Sequence, residues 1–380
     1  MQRGHLALFT DLPLRIEHAP VSRLVNIGRV AAEEGWSVSL TGVEATPDID
    51  KLPIRVCAVA RNPNGRTVIN PFNAVIRRAV SSAGAVVVRG YWLGFFVLAM
   101  AWFRGVPLRM FDFHGSTWRE VRDRPLYALL SWAMESIAFS LATHVLTVSE
   151  GVKSQVPKRA AGKCMVFENG VSPLDGQRVP LGQHSRSSRL NIPTDTFCIG
   201  VVARFGAHFE LDTVCRALEN IEADVLLVIV GEGPGLSEID FGAHSNVLPV
   251  GEWPADEVRA FLENRCDAAL LPYNPDWPCS TTPKFFASRK LMEYLAAGLP
   301  VLAPDIPGIH PVLRNHTLGF LHQPYAAEEL ASHILRLSED FALRKQICSQ
   351  AKTIATEYSW ANLARNSGFI EILATNGSQA

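Results

Sequence analysis

Lys290 and Glu293 stand three residues apart in the stretch Ser288-Arg289-Lys290-Leu291-Met292-Glu293-Tyr294-Leu295-Ala296-Ala297. On a helix that spacing puts an ammonium and a carboxylate on one face. Leu291, Tyr294 and Leu295 turn elsewhere, where they can pack on a sheet. Lys290 falls in the first turn, where unpaired backbone N–H groups and the helix dipole favour an anion. A diphosphate bound there meets those donors and one cation. Glu293, a turn deeper, can accept two hydrogen bonds from a ribose diol. One cation and one carboxylate so spaced suit a nucleoside diphosphate. In isolation, such a pair is more commonly an ordinary solvated one.

The neighbouring segments carry compatible chemistry. Arg204 follows the apolar run Ile199-Gly200-Val201-Val202 and can clamp phosphate with a planar fork of donors. Gly231-Glu232-Gly233-Pro234 closes another apolar run, and Ser288 begins the helix that carries Lys290. Toward the other end of the chain, His114 stands in Phe111-Asp112-Phe113-His114-Gly115-Ser116, at the end of an apolar strand. An imidazole there can recognise a hydroxyl or handle a proton near neutral pH; capping a turn is an equally weighted role. Asp112 is the lesser base, expected to leave the strand end in a different direction from His114. Asp11 lies just past the first apolar run, and Arg89 follows Ala85–Val88; both are acceptor-side candidates.

These residues need a scaffold of alternating elements. Strands are expected at Leu6–Thr10, Trp36–Thr41, Ala85–Val88, Leu108–Phe113 and Val145–Val148, with helices at Ser22–Gly35 and Tyr127–Leu141. After the polar, Pro- and Ser-rich stretch from Ser172 to Asp195, the alternation restarts with strands at Phe197–Val202, Val225–Val230, Val247–Val250, Ala268–Pro272 and Pro300–Ala303. One long helical stretch is expected over 340–370. Strand–helix alternation argues for parallel sheets covered on both faces, here two doubly wound sheets in tandem, whose ligands bind beyond the carboxyl ends of strands.

Composition narrows the class. The chain has 380 residues, 48% of them hydrophobic and 19% charged, which excludes a disordered or collagen-like chain. Seven cysteines, an odd number without a C-x-x-C, argue against a disulfide framework or zinc ribbon and for a reducing compartment. Net charge is −1, yet residues 1–180 balance at +7 and residues 181–380 at −8. The basic half can face phosphate-bearing partners. No basic–aromatic nucleic-acid module is present. Trp92 to Phe103, WLGFFVLAMAWF, is the strongest apolar run. It is shorter than the roughly twenty residues that span a bilayer, so a buried helix is favoured over a surface-inserting one.

In order and spacing, VLTVSEGV (145–152), VFENGV (166–171), IGVVARF (199–205), VIVGEGP (228–234), VGEW (250–253) and KLMEYLAAGLPVLA (290–303) resemble the family 4 glycosyltransferases of the GT-B fold. TEYSWANLA (356–364) is similar to that family's terminal helix, which crosses back to the first domain. The resemblance implies an α/β protein of two Rossmann-like doubly wound parallel-sheet domains facing across a cleft. Residues 1–172 would be the acceptor-side domain, 173–195 a linker, 196–357 the nucleotide-sugar domain, and 358–380 the returning helix. It further implies sugar transfer from a UDP- or GDP-linked donor to a hydroxyl of a glycan or lipid-linked acceptor, usually with retention, without a metal or other cofactor. The setting would be bacterial cell-surface polysaccharide synthesis, in the cytoplasm or at the inner face of its membrane. By position, Glu293 matches the second glutamate of E-x7-E and would bind ribose. Arg204 matches the diphosphate-binding arginine, the backbone at Val250-Gly251 would lie near the base, and His114 would face the donor sugar across the cleft. The turn at Gly233 belongs to the same donor set.

Two departures stand out. Phe285 occupies the place of the first glutamate of E-x7-E, and the lysine that follows the family's arginine is missing, positions 208–210 reading His-Phe-Glu. Lys290 can supply that cation; Thr282 and Lys284 are further candidates for the donor-sugar loop. Phe285 keeps a second class open, a catalytically silent relative that binds nucleotide sugar or a partner. A nucleotide-sugar 2-epimerase, of the same fold, is the lesser enzymatic alternative.

Overall fold

The computed structural model describes residues 3–14, 19–45, 54–59, 70–121, 124–171, 186–190, 192–193, 195–237, 239–277, 288–309 and 311–377. They form two compact units, one made of Met1–Asn169 with Trp360–Ala380, the other of Gly170–Ser359.

The first unit holds β1 (His5–Leu14), β2 (Ser37–Ala45), β3 (Arg55–Val59), β4 (Ala85–Arg89), β5 (Leu108–Phe113), β6 (His144–Thr147) and β7 (Cys164–Val166). They pair in parallel in the order β3-β2-β1-β4-β5-β6-β7. Val86, Val87 and Val88 are fully buried, as expected where helices cover both faces of a parallel sheet. The order reverses between β1 and β4, so the carboxyl ends of these two strands flank a switch point.

The second unit holds β8 (Phe197–Val202), β9 (Val225–Val230), β10 (Val247–Gly251), β11 (Ala268–Leu270), β12 (Val301–Pro304) and β13 (Gly319–His322). All are parallel, in the order β10-β9-β8-β11-β12-β13. Here the switch point falls between β8 and β11, beside Arg204.

Two details differ from the expectations above. Residues 186–190 and 192–193, read as part of a linker, pack on the second unit: the Arg186 N–H donates to Glu257 Oε2 at 2.8 Å, and Arg265 Nη2 donates to the Ile192 carbonyl at 3.2 Å. Ile192 itself sits in that unit's core. The stretch 340–370 is three helices, Phe341–Glu357, Trp360–Asn366 and Phe369–Gly377. The first break comes where Tyr358 gives its carbonyl to the Val171 N–H at 3.0 Å and Ser359 bridges Val171; a backbone so engaged cannot also continue the helical ladder. The last two helices belong to the first unit. Phe167 packs against Trp360 and Phe369, ring centroids 6.0 and 5.2 Å apart.

Candidate functional site

In the second unit the helix Arg289–Ala297 forms because Ser288 caps it and Gly298 ends it. The Ser288 hydroxyl accepts from the Leu291 N–H at 3.2 Å, and Gly298 takes the left-handed conformation, φ +80°. Tyr273 Oη donates to Ser288 Oγ at 2.5 Å. The Ser288 side chain is therefore buried, and its hydroxyl oxygen caps the helix. Tyr294 fixes the helix to the sheet. Its buried hydroxyl accepts from the Val202 N–H at 2.9 Å, tying the helix to the carboxyl end of β8.

Lys290 does not pair with Glu293. Its Nζ lies 5.5 Å from the centre of the Phe209 ring, a cation–π contact, and it makes no ion pair among the described residues. Burial lowers the Lys290 pKa, and Glu293 only partly restores it. The partner of Glu293 is Arg289, Nε to Oε1 at 2.9 Å, one helical turn away. Phe209 in turn stacks on Tyr273, 5.6 Å between centroids. His208 packs against Trp277 at 5.9 Å, and burial and then the Lys290 charge lower its pKa. Reading the sequence overlooked Arg289 and Trp277 and named His208 only as the place of a missing lysine; the i,i+4 spacing of Arg289 and Glu293 was the available signal for the first.

The glycine turn is locked into its neighbours. Gly231 and Gly233 have φ of +131° and +149°. A Cβ on Gly233 would lie 2.0 Å from the Phe205 carbonyl oxygen, and one on Gly231 1.8 Å from that of Ala203. Only glycine permits this approach. Phe205 N–H donates to the Glu232 carbonyl at 2.8 Å, and Gly231 N–H to the Gly251 carbonyl at 2.8 Å. Trp253 Nε1 donates to the Val250 carbonyl at 3.2 Å. The carboxyl ends of β8, β9 and β10 thus meet, bringing Arg204, Gly233, Val250 and Gly251 together. Arg204 is exposed and makes no ion pair among the described residues. Thr282, Lys284 and Phe285 lie outside the described residues.

The first unit gathers a second set at the carboxyl ends of β1, β4 and β5. Asp112 is wholly buried between two partners. Its Oδ1 accepts from Arg23 Nε at 3.0 Å, and its Oδ2 meets His114 Nε2 at 2.8 Å. His114 therefore folds back onto Asp112, where divergent directions were expected. Burial pushes the Asp112 carboxyl up, but Arg23 and His114 outweigh it and hold the group far below the carboxylate range. His114 is lowered to about 4 by burial and by Arg89, against the pull of Asp112. The ring is thus neutral near pH 7. Because Asp112 is ionised, the ring proton sits on Nε2, which leaves Nδ1 as an acceptor. Arg23 also donates to the Glu168 carbonyl at 3.2 Å and to Asn169 Oδ1 at 3.3 Å. Asp11 packs on Gly90, whose position has no room for a Cβ: it would lie 2.7 Å from Asp11 Oδ2. Burial raises the Asp11 pKa, opposed by a backbone hydrogen bond and by Arg89.

Each set lies at the carboxyl ends of strands beside a switch point, where doubly wound sheets bind ligands. Residues 183–354 match the model of the family described as Glycosyl transferases group 1. The crystal structure of Anabaena HepE in complex with UDP and glucose superimposes with a TM-score of 0.70 at 16% identity, covering 98% of this chain and 100% of that one. The fold is the GT-B fold. Among curated proteins, an uncharacterized glycosyltransferase of Methanocaldococcus jannaschii is 23% identical over 248 residues, 61% of this chain and 60% of its own. The putative teichuronic acid biosynthesis glycosyltransferase TuaC of Bacillus subtilis is 26% identical over 231 residues, 60% of this chain and 54% of its own. The matched region thus spans little more than half the length of these relatives.

Proposed function

We propose that the protein is a glycosyltransferase that moves a sugar from a UDP- or GDP-linked donor to a hydroxyl of a glycan or lipid-linked acceptor. Transfer proceeds with retention of anomeric configuration and without a metal, in cell-surface polysaccharide synthesis at the inner face of the cytoplasmic membrane. The observation that carries this reading is Lys290, an ammonium with no ion-paired carboxylate among the described residues, in the first turn of a capped helix and over the ring of Phe209, which stands on the segment that leaves β8 past the exposed Arg204. The ligands of the Anabaena structure, UDP and glucose, support a nucleotide-sugar donor.

In the reaction the bond from the anomeric carbon to the β-phosphate oxygen breaks, and its electron pair leaves with the nucleoside diphosphate. The acceptor oxygen forms the new bond and gives up its proton to the departing β-phosphate oxygen. Negative charge grows on the leaving diphosphate. In this reading Lys290, Arg204 and the open first-turn N–H groups meet that charge as it grows, so they stabilise the transition state more than the ground state. Glu293, held by Arg289 through Oε1, accepts from the ribose hydroxyls. His114 presents Nδ1 to a sugar hydroxyl.

Incubation with a panel of nucleotide sugars, followed by measurement of free UDP or GDP, tests this. Release that rises with a glycan or lipid-linked acceptor supports transfer. Binding without release overturns it in favour of the catalytically silent reading that Phe285 suggests.

A further inference from the structure

Three helices of the first unit, Ala74–Ser81, Tyr91–Phe103 and Pro125–Leu141, form one layer. They connect β3 to β4, β4 to β5 and β5 to β6, crossings that all run in one direction along the sheet, and right-handed crossovers place such helices on one face. The middle helix packs against both others. Their inner sides bury Ile76, Val80, Leu93, Val97, Met134 and Ala138.

A covering helix ordinarily turns charge toward water; the second and third of these turn apolar side chains outward instead. Leu126, Leu129, Trp132 and Ile137 line the outer face of the third helix, and Trp102 and Phe103 end the second. Leu126 is 84% and Phe103 81% exposed. Phe72, also exposed, sits edge-on to Phe96 at 5.4 Å and extends the surface past the first helix. Glu135 is the only acidic residue in the three helices; it is buried and accepts from the Thr117 N–H at 2.8 Å. Arg77 and Arg78 are exposed on the first helix, and Arg104 follows Phe103.

An apolar patch of this extent on the outside of a layer calls for a partner. Charge selects its kind. Exposed aromatic and aliphatic side chains, arginines beside them and no exposed carboxylate on these helices match the headgroup level of an anionic leaflet. No helix among the described residues is long and apolar enough to cross a membrane, so the contact is with one surface. We infer that the outer face of these three helices docks on an anionic lipid bilayer. Trp102, Phe103, Leu126 and Leu129 enter the headgroup region, while Arg77, Arg78 and Arg104 meet lipid phosphates. The inference deepens the membrane setting of the proposed function and rests on that reading for its biological place.

Sedimentation of the full chain with phosphatidylcholine vesicles, with and without phosphatidylglycerol, tests it. Binding is expected to the anionic vesicles, weaker to the neutral ones and weaker in high salt. The double variant Arg77→Glu, Arg78→Glu is expected to lower partitioning by about tenfold or more, and Phe103→Glu with Leu126→Glu to abolish it. Melting temperatures should stay unchanged, because these side chains are exposed. Absence of wild-type binding, or full binding by the Phe103, Leu126 variant, overturns the inference. So does a dimer, seen by light scattering, that the same variant dissolves while wild-type protein ignores vesicles; a second copy then covers the face. Nucleotide release from a soluble donor is read in parallel. Its loss in wild-type protein counts against the catalytic reading, whereas vesicle binding is scored independently.

Discussion

The carboxylate of Asp112 holds the His114 ring, Oδ2 to Nε2 at 2.8 Å. Its other oxygen faces a guanidinium with no exposed side-chain surface. Removing one partner of such a buried pair leaves the other charge stranded. Asp112→Ala is therefore expected to destabilise the protein by about 3–5 kcal/mol, measured by denaturant unfolding. A loss below about 1 kcal/mol would mean that Arg23 finds another partner.

His114 also makes stability depend on pH. Its folded pKa, about 4, lies below the ordinary 6.5, so the unfolded chain takes up the proton first. Its contribution is complete above about 6.5 and is lost as pH falls from there toward 4. His114→Gln should remove that segment of the stability–pH curve, leaving the slope elsewhere intact. An unaltered curve would show that the ring titrates alike in both states.

Lys290→Ala is expected to lower turnover by about a hundredfold, with a smaller change in donor affinity, because the leaving-group charge is greatest in the transition state. Glu293→Ala should instead weaken nucleotide binding by roughly ten- to a hundredfold, the value of hydrogen bonds to a charged group. Arg289→Ala is the control, measured by calorimetric titration with UDP and GDP. If it reproduces the Glu293 variant in full, the carboxylate serves the ion pair rather than the ribose.

Two glycines separate strain from collision. Gly251 has φ +72° and open space around its Cβ position, so Gly251→Ala should cost about 1 kcal/mol. Gly233→Ala meets the Phe205 carbonyl head-on. Backbone must move there, and both stability and donor binding should fall well beyond the Gly251 value. Equal melting temperatures for the two variants would contradict the packing described for this turn.

Much of this arrangement was visible in the residue order. β4 and β9 are short continuous apolar runs because helices cover both faces of their sheets. The helix of Lys290 announces itself by Ser288 before it and Gly298 after it. β3 and β7 escaped because they stand at the edges of their sheet, are short, and are only partly buried. Arg23 was hidden for another reason. It sits inside the amphipathic helix Ala19–Glu33, and the carboxylate that explains it is 89 residues away. No local pattern encodes a pair of that separation. The aromatic support under Lys290 was likewise assembled from Phe209 and Tyr273, distant in the chain and joined only when the strands align.

The return of Trp360–Gly377 to the first unit has a consequence for biogenesis. A ribosome delivers the second unit as one uninterrupted stretch, able to close its core while translation continues. The earlier-made unit must wait, with the Phe167 side chain lacking its cover, until the last helices emerge. The portion synthesised first is thus the portion finished last, and a nascent chain stalled before Trp360 would present that open core to chaperones.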